Sequence, residues 1–445
     1  MNSKQFRSLI TSAAQGGDPV VPRCPHAGPT ECGGCAFQDR AYADQVVAKA
    51  QALTQLWRDD PAASFIFHPS SLIDVVASPD PYNYRTRMDY VATKGRFGLR
   101  RRGRFNYIID LVTCHLIPPP AFAAALALWR RANELGLPDY DIRSHQGFLR
   151  YLVVRRSPDD ALLLAAVTAA GPHDDAMAAL AALALAQPGV ASFHWLLNDT
   201  LTDVSFGTPL RHWGAATLPM RVGKRTLQIG PNTFFQNNVH LLLPLLDAVR
   251  GAVAETQVLQ TKQDIGTNLP PSAFRLPPFR VADLYGGVGT IALHLADDVG
   301  RVVTVESVAE SAALARQNIA DAGVGNVDAV QSDVLPFLRD QSPGTFEVIV
   351  ADPPRTGLGP EVCAELLRLA PRRIVYVSCN PLTQREDAAA LAAGYTLSAL
   401  RGYDMFPHTP HVETLGVFDK RAVDSPSPLV GEGLGDEGKM RPPVL

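Results

Sequence analysis

The alternation of short apolar runs with amphipathic stretches between residues 226 and 421 constrains the fold more than any other feature of this sequence. Runs such as RVVTVE, FEVIVA and RIVYV have the character of buried strands, and stretches such as SAALARQNIADAG have helical spacing. Strands that alternate with helices in this way predict a parallel, doubly wound α/β sheet. Because ligands bind beyond the carboxyl ends of such strands, we expect the functional residues to follow the strands.

The rest of the chain divides into regions in which the apolar residues have a different spacing. Residues 23–225 contain short strands with turns between them and interleaved helical stretches, which predicts an α+β domain. Residues 1–22 show no period and are expected to be a flexible N-terminus. Residues 254–275 interrupt the alternation and are expected to form a surface insertion, and the Pro- and Gly-rich segment 422–445 is predicted to be a disordered tail.

A glycine-rich turn, DLYGGVGT at residues 283–290, lies between a predicted strand and a predicted helix. Its glycines let the backbone approach a ligand, but the dinucleotide fingerprint G-x-G-x-x-G is not met, because Ile291 and Ala292 follow. Glu306 ends the next strand, where a carboxylate can accept hydrogen bonds from ribose hydroxyls. Asp333 follows the third strand and suits an adenine amino group. The ordered series favours S-adenosylmethionine as the ligand.

Two further motifs follow later strands of the same domain. Asp352 opens DPPR, and Cys379 lies in SCNP, where a thiol can act as a nucleophile. Cys363 lies on the apolar face of a predicted helix and is assigned to the core. Glu413 in HVETL is a candidate base. A thiol and a base together suit a reaction in which a cysteine adds to the substrate and a base later removes a proton.

Five motifs in this order, FFQNN, DLYGGVGT, DPPRTGL, VSCNP and HVETL, make the chain resemble the RNA uracil-5 methyltransferases over roughly residues 24–420. The resemblance implies a class I, Rossmann-like methyltransferase domain with Cys379 as the nucleophile and Glu413 as the final base. It also implies that Phe234 lies near the target base. Many members have cysteine at the position of Gly286, a departure from which little consequence is expected. The cofactor contacts that the resemblance implies are Gln236, Tyr285, Glu306, Asp333 and Asp352.

Three cysteines near the N-terminus and one more distant cysteine form a second constellation. Cys24, Cys32 and Cys35 precede Cys114, and four thiolates suit either a tetrahedral zinc ion or an iron–sulfur cluster. Their spacing alone does not decide between the two. The resemblance implies a 4Fe-4S cluster, held by the preceding α+β domain. We expect its role to be structural, fixing the N-terminal loop and shaping an RNA-binding surface.

The charge distribution gives only local support for a nucleic-acid partner. The chain has a net charge of −3, but the run KGRFGLRRRGR from Lys94 to Arg104 is strongly basic. This run is one hypothesised set of phosphate contacts. A second set consists of Arg143, Arg150, Arg155 and Arg156. No stretch is long and apolar enough to span a membrane, no obligate protein partner is evident, and a cytoplasmic protein is expected.

The resemblance implies a uridine of 23S ribosomal RNA as the target, in unassembled RNA or in a loop, because the four-cysteine motif is typical of the ribosomal branch. Only about 23 residues precede Cys24, so the small N-terminal RNA-binding barrel of many relatives is expected to be missing. Flipping of the base is expected, because the nucleophile lies in a cleft. A tRNA uridine is the first alternative. An amino-methyltransferase would leave Cys379 and Glu413 without roles, and intact catalytic residues argue against a non-catalytic RNA-binding protein with a metal site.

Overall fold

The computed structural model describes residues 1–59, 69, 71–265 and 279–421. It opens with two helices, α1 (Ser3–Gln15) and α2 (Tyr42–Arg58), and a short strand, β1 (Val75–Val76). Helix α1 begins at a capping box, in which Asn2 and Gln5 exchange side-chain and backbone hydrogen bonds. Its buried residues Phe6, Ile10 and Ala14 recur at helical spacing and pack beside α2. The flexible segment predicted for residues 1–22 is therefore wrong over α1.

A seven-stranded sheet follows, in the spatial order β4-β3-β2-β5-β6-β7-β8. All of its pairs are antiparallel except β6 with β7, which a helix connects. The central strands β5 and β6 are buried along their whole length, as strands covered on both faces must be. The elements of this region are β2 (Arg87–Thr93), β3 (Arg96–Arg101), β4 (Arg104–Asp110), α3 (Pro119–Glu134), β5 (Leu149–Arg156), β6 (Leu162–Thr168), α4 (Asp174–Leu185), β7 (Val190–Leu197) and β8 (Thr208–Gly214).

The remaining elements are a hairpin, a long helix and the predicted α/β alternation. They are β9 (Leu218–Val222), β10 (Arg225–Ile229), α5 (Leu242–Ile265), β11 (Arg280–Leu284), α6 (Thr290–Leu295), β12 (Arg301–Glu306), α7 (Ala309–Asp321), β13 (Val327–Gln331), α8 (Val334–Arg339), β14 (Val348–Ala351), α9 (Gly359–Leu369), β15 (Arg373–Ser378), α10 (Pro381–Leu391), β16 (Tyr395–Tyr403) and β17 (Glu413–Lys420).

The second sheet has the order β1-β16-β17-β15-β14-β11-β12-β13. Strands β11 to β15 are mutually parallel where they pair, and β17 runs antiparallel to both of its neighbours. This is the doubly wound sheet that the sequence predicts, closed by a reversed last strand. The order places the ends of β11, β14 and β15 side by side at the carboxyl edge, so that the motifs after these strands meet there.

The predicted domain boundaries differ from the packing of the chain. Helices α1 and α2 share a core with α8, α9 and α10 of the second sheet, although α2 falls within the α+β domain predicted for residues 23–225. A buried ion pair between Lys49 and Asp404 joins α2 to the C-terminal region. The boundary predicted between residues 225 and 226 cuts into β10, whose hairpin packs between the two sheets. The α+β fold of the first sheet is otherwise as expected.

Two other predicted segments, residues 254–275 and 422–445, lie partly or wholly outside the described residues. The first part of the surface insertion expected at residues 254–275 is helical, because α5 continues without a break to Ile265. Its remainder, and the tail predicted for residues 422–445, lie outside the described residues. Within the described ranges, the structure contains no helix that is both long and apolar enough to cross a membrane.

Candidate active site

The glycine-rich turn after β11 is tied to the end of β12 by Glu306. The backbone N–H of Gly287 donates to Glu306 Oε2 at 2.9 Å, and the N–H of Val308 donates to Oε1 at 2.7 Å. Both carboxylate oxygens therefore lie beside the turn. Asp333 follows β13 and is exposed at the start of α8, where Ser332 N–H donates to the Glu306 carbonyl at 3.1 Å. The two predicted cofactor carboxylates thus occupy adjacent strand ends.

The turn also has a steric requirement at Gly286. A side chain there would collide with Thr304 Oγ1, which donates to buried Asp283 Oδ2 at 2.9 Å. The same Asp283 oxygen accepts from the N–H of Ala292 at 3.2 Å, and burial raises the pKa of Asp283 to about 7. Glycine is the residue that lets this turn lie against Thr304, which gives the departure at Gly286 a local structural reason.

Three of the predicted cofactor residues line one cleft beside the turn. Gln236 Nε2 donates to Asp352 Oδ2 at 2.9 Å, and Tyr285 lies on the same cleft with exposed Phe234 at its rim. Tyr285 has a φ of 62°, a strained conformation for a bulky residue that turns the chain out of β11. Burial raises the pKa of Asp352 to about 7, whereas the hydrogen bond from Gln236 lowers it. The donors, acceptors and close backbone approach of this cleft fit an adenosyl cofactor.

The pairing of β15 with β17 brings the predicted nucleophile and base together. Ser378 pairs with Thr414 at the end of this antiparallel ladder, so Cys379 and Glu413 are the next opposed positions. Thr414 Oγ1 donates to the Ser378 carbonyl at 3.2 Å and holds the two strand ends together. Glu413 is buried and Cys379 is half-buried. Asp352 follows β14, the other neighbour of β15, and completes the group.

Arg355 is the cation of this group, and the site residues predicted from sequence did not include it. Burial and the Glu413 carboxylate raise the pKa of the Cys379 thiol, and Arg355 lowers it by its charge and a hydrogen bond. The net result is a pKa of about 11. Burial and Asp352 raise the pKa of Glu413 well above its usual range, and Arg355 opposes them. The signal was available in the sequence, because Arg355 completes DPPR after a neighbouring strand.

A cavity of about 280 Å³ opens beside Cys379 and is called the thiol cavity below. Arg355, Asn380 and His411 line it from the second sheet's carboxyl edge, and Ser3 and Arg7 of α1 line it from the other side. It shares no lining residue with the cofactor cleft. The arrangement therefore offers the Cys379 thiol to a second ligand that enters separately from the cofactor.

The four predicted metal-binding cysteines converge in the first half of the chain. Each of Cys24, Cys32 and Cys35 lies within electrostatic range of Cys114, and none of the four is in a disulfide bond. Their thiols suit a metal or an iron–sulfur cluster by donor type. Among the described residues, however, no three His, Cys, Asp or Glu side chains form a group compact enough to hold a single metal ion. A tetrahedral zinc ion would draw its sulfurs to within roughly 3.8 Å of one another, since each Zn–S bond is about 2.3 Å.

The cysteine loop is anchored to both halves of the molecule. Gly33 N–H donates to the Arg100 carbonyl of β3 at 2.8 Å, and Ala36 N–H donates to the His408 carbonyl at 2.6 Å. Gln38 accepts from the N–H of Cys24 at 2.8 Å and donates to Cys35 Sγ at 3.5 Å. The loop thus connects the basic hairpin of the first sheet with the segment that leads to Glu413.

A basic groove lies between this loop and strands β2 to β4. It is a cavity of about 880 Å³ whose rim carries exposed Phe206, with the Arg87 guanidinium 4.6 Å from the ring centre. Four arginines of the predicted run from Lys94 to Arg104 line it, which agrees with the hypothesised RNA contact in position and charge. The arginines that line the groove are Arg85, Arg87, Arg100, Arg101, Arg102 and Arg104.

Three of the other hypothesised phosphate contacts are wrong, because Arg150, Arg155 and Arg156 are buried. Their guanidinium groups donate to carbonyl oxygens of the protein. Arg150 Nη1 reaches the Asn198 carbonyl at 2.7 Å, and Arg155 Nη1 reaches the Thr233 carbonyl at 2.6 Å, just before Phe234. These arginines therefore satisfy buried carbonyl oxygens of neighbouring loops. Arg143 is exposed, and its contact with RNA stays a prediction.

The fold and the cleft define a class I S-adenosylmethionine-dependent methyltransferase, with a cysteine and a glutamate added beside the cofactor cleft. Comparison with known proteins gives the family. Residues 338–422 match the family model described as tRNA (Uracil-5-)-methyltransferase, and residues 258–375 match the methyltransferase small domain. The chain belongs to the S-adenosylmethionine-dependent RNA uracil-5 methyltransferases, and it is an enzyme of that class.

Three relatives support this assignment. An uncharacterized RNA methyltransferase of Nitratidesulfovibrio vulgaris is 32% identical over 94% of this chain and 86% of its own length. A tRNA (uracil(54)-C(5))-methyltransferase of Pyrococcus abyssi is 31% identical over 88% of this chain and 85% of its own length. The crystal structure of the P. abyssi tRNA (uracil-54, C5)-methyltransferase with S-adenosyl-L-homocysteine matches with a TM-score of 0.70 and 28% identity, covering 88% of this chain and 86% of that one.

Proposed function

We propose that this enzyme methylates carbon 5 of one uridine in 23S ribosomal RNA, with Cys379 as nucleophile and Glu413 as base. The observation that carries the proposal is the ladder between β15 and β17, which sets the two residues opposite each other beside Asp352. Uracil carbon 5 is a weak nucleophile, so a methyltransferase that acts on it needs a thiol and a base together. An amino-methyltransferase would leave both residues without a task.

Cys379 begins the reaction. Its sulfur adds to carbon 6 of the flipped uracil, and the ring becomes an enolate with electron density at carbon 5. Arg355 favours the thiolate because its charge and hydrogen bond lie beside the sulfur. S-adenosylmethionine supplies the electrophilic methyl group that carbon 5 accepts. The relative solved with S-adenosyl-L-homocysteine supports this choice of cofactor.

Glu413 ends the reaction. After methylation, carbon 5 carries both the methyl group and a proton, and the Glu413 carboxylate removes the proton. The electron pair re-forms the double bond between carbons 5 and 6, and the Cys379 sulfur leaves as a thiolate. Burial raises the pKa of Glu413, which makes the carboxylate a stronger base than an exposed glutamate.

The cofactor residues follow from the cleft. Glu306 would accept hydrogen bonds from ribose hydroxyls and Asp333 from the adenine amino group. Tyr285 would contact the adenosyl group, while Gln236 and Asp352 would orient the methionine end and the target base. Because Gln236 and Asp352 are hydrogen-bonded to each other, each restricts the position of the other before the cofactor binds.

We further propose a structural 4Fe-4S cluster on Cys24, Cys32, Cys35 and Cys114. Its support is the convergence of four thiols and the anchoring of their loop beside the basic groove. These four cysteines would hold the cluster as thiolates, which are its usual ligands. The role proposed for the cluster is to fix the loop that joins the groove to the segment before Glu413.

The ribosomal target rests on the resemblance of the four-cysteine motif to the ribosomal branch. The alternative is a tRNA uridine, which is favoured by the similarity of the chain to the tRNA (uracil(54)-C(5))-methyltransferase of Pyrococcus abyssi. In either case the base must leave a loop or stack to reach Cys379, so unassembled RNA is the expected substrate.

The test incubates anaerobically purified protein with isotopically labelled S-adenosylmethionine and either unmodified 23S ribosomal RNA or unmodified tRNA. Nucleoside mass spectrometry then measures labelled 5-methyluridine. We expect label in the ribosomal RNA, lost in Cys379→Ala and kept in Cys363→Ala, a matched removal of a buried thiol in the same domain. Label in tRNA alone would keep the chemistry and overturn the target. Label that survives in Cys379→Ala would overturn the proposed nucleophile.

A further inference from the structure

Helix α1 forms one wall of the thiol cavity. Its buried side chains Phe6 and Ile10 share a core with Leu382 and Val412, which flank Cys379 and Glu413 in the chain. The first turn of α1 therefore has a fixed place beside the reactive thiol. Ser3 and Arg7, which lie one turn apart on α1, line the cavity, whereas Lys4, the other cation of α1, does not.

The lining of the thiol cavity is positively charged. Arg7 and Arg355 contribute guanidinium groups, and no aspartate or glutamate is among the lining residues in the described part of the chain. His411 adds a neutral imidazole, because burial and the nearby cations lower its pKa to about 3. A cavity with two cations and no carboxylate suits an anionic ligand, in a chain whose net charge is −3.

Arg7 is available for such a ligand. The residue is exposed, and its Nε donates to the Ser3 carbonyl of its own helix at 3.2 Å. No ion pair joins Arg7 to a carboxylate within the described ranges. The core contact of α1 is made by Phe6, Ile10 and Ala14, so the packing of the helix does not depend on the guanidinium group.

We propose that α1 is a substrate-binding element of this enzyme, in which Arg7 binds an RNA phosphate next to the target uridine while the flipped base lies against Cys379. The proposal rests on the uracil chemistry proposed for Cys379. The phosphate belongs to the RNA, since the cofactor cleft shares no lining residue with the thiol cavity. A guanidinium group matches a phosphate with two parallel hydrogen bonds, which fixes the nucleotide as well as attracting it.

The test compares Arg7→Gln with Lys4→Gln, which removes the same charge from the same helix without touching the cavity. The substrate is whichever RNA the wild-type enzyme methylates. We expect Arg7→Gln to raise KM for RNA about 10- to 100-fold with little change in kcat, which is the effect of losing a hydrogen bond to a charged group. Lys4→Gln should change KM by less than about threefold, the size expected for an exposed charge. Equal changes in KM for the two variants would mean that α1 attracts RNA only through its overall positive charge, and the proposal would be wrong.

A second experiment removes the negative charge from the RNA phosphate instead of the positive charge from Arg7. Synthetic substrates carry one neutral methylphosphonate linkage, either 5′ or 3′ of the target uridine. One of the two should raise KM for the wild-type enzyme by a factor similar to that of Arg7→Gln, and should have no further effect on Arg7→Gln. If neither linkage changes KM for the wild type, the proposal is wrong. It is also wrong if the linkage raises KM for Arg7→Gln as much as it does for the wild type. Absence of any methylation by the wild type would instead refute the function proposed above.

Discussion

Thiols occupy two contrasting regions of this molecule, the edge of the second sheet and the loop beside the first. At the sheet edge a single thiol, Cys379, faces a cavity and has Arg355 beside it. In the loop, Cys32 and Cys35 are buried with Cys114, and each thiol raises the pKa of its neighbours in addition to the effect of burial. Burial disfavours the thiolate in both regions, and an arginine opposes it in both, Arg355 at Cys379 and Arg102 at Cys32. Cys379 also lines a cavity that a substrate can enter.

The contrast shows that burial raises the pKa of the thiol in each region, and that the neighbouring groups distinguish one cysteine from another. Cys363 provides a third case, since it lies on the buried face of α9 beside Asp387, and burial and that carboxylate raise its pKa to about 12. A lone thiol with an acid beside it has neither a partner for a metal nor a path to a substrate. We therefore expect reactivity at Cys379, ligand binding in the loop, and neither at Cys363.

The largest expected effect comes from Glu413→Gln, because it separates the two halves of the reaction at the sheet edge. Cys379 should still add to uracil, but the carbon 5 proton is not removed, so methylated RNA stays bound to the enzyme. Turnover should fall roughly 10²- to 10⁴-fold, the range for loss of a general base. Denaturing gels and peptide mass spectrometry would measure the adduct, with Glu365→Gln on α9 as the control. An adduct on a cysteine of the loop would contradict the assignment of Cys379 as the reactive thiol. Unchanged turnover would contradict the role of Glu413 as the base.

A smaller effect on catalysis is expected from Cys32→Ser in the loop. The variant should lose bound iron and sulfide, and the free energy of unfolding should fall, because the energy of metal binding is part of the energy of folding. The rate of methylation should fall by about tenfold or less, since Cys32 does not line the thiol cavity. Iron and sulfide analysis, denaturant unfolding and the methylation assay measure these three effects, with Cys363→Ser as the control. Wild-type protein that binds one zinc ion and no iron would refute the cluster type.

The second sheet and its site were largely predictable because their signals are local. Each strand carries its own apolar run, and the residue after it falls at the carboxyl edge whatever the rest of the chain does. The positions of Glu306 and Cys379 follow from that rule. The roles of the predicted site residues stay predictions until they are tested.

Other features depend on contacts between distant segments, which the sequence does not display. The capping box and the apolar spacing of α1 are readable, but a helix of 13 residues is stable mainly through packing, here against α2 and Leu382. Similarly, nothing next to Arg155 reveals that its guanidinium group binds carbonyl oxygens near residue 231. An arginine on a predicted strand is more often exposed, so its burial could not be anticipated.

The smallest expected effect concerns the charge beside Cys379. Arg355 lowers the pKa of the thiol, which burial and Glu413 raise to about 11. Removing the cation in Arg355→Gln should move that pKa higher still, so the thiolate fraction at pH 8 should decrease. Since the thiolate is the reactive form, alkylation of Cys379 by iodoacetamide at pH 8 should slow roughly 3- to 10-fold. This decrease corresponds to a rise in the thiol pKa of up to about one unit.

The pH dependence makes this prediction specific. Below its pKa, the alkylation rate of Cys379 should rise about tenfold per pH unit in both proteins, with the curve of the variant displaced to higher pH. Peptide mass spectrometry resolves Cys379 from the other cysteines, and Arg368→Gln, an exposed arginine paired with Glu365, serves as the control. Superimposed curves for the variant and the wild type would mean that the cation does not tune the thiol. The sheet edge would then differ from the loop by the cavity beside its thiol and not by the influence of Arg355.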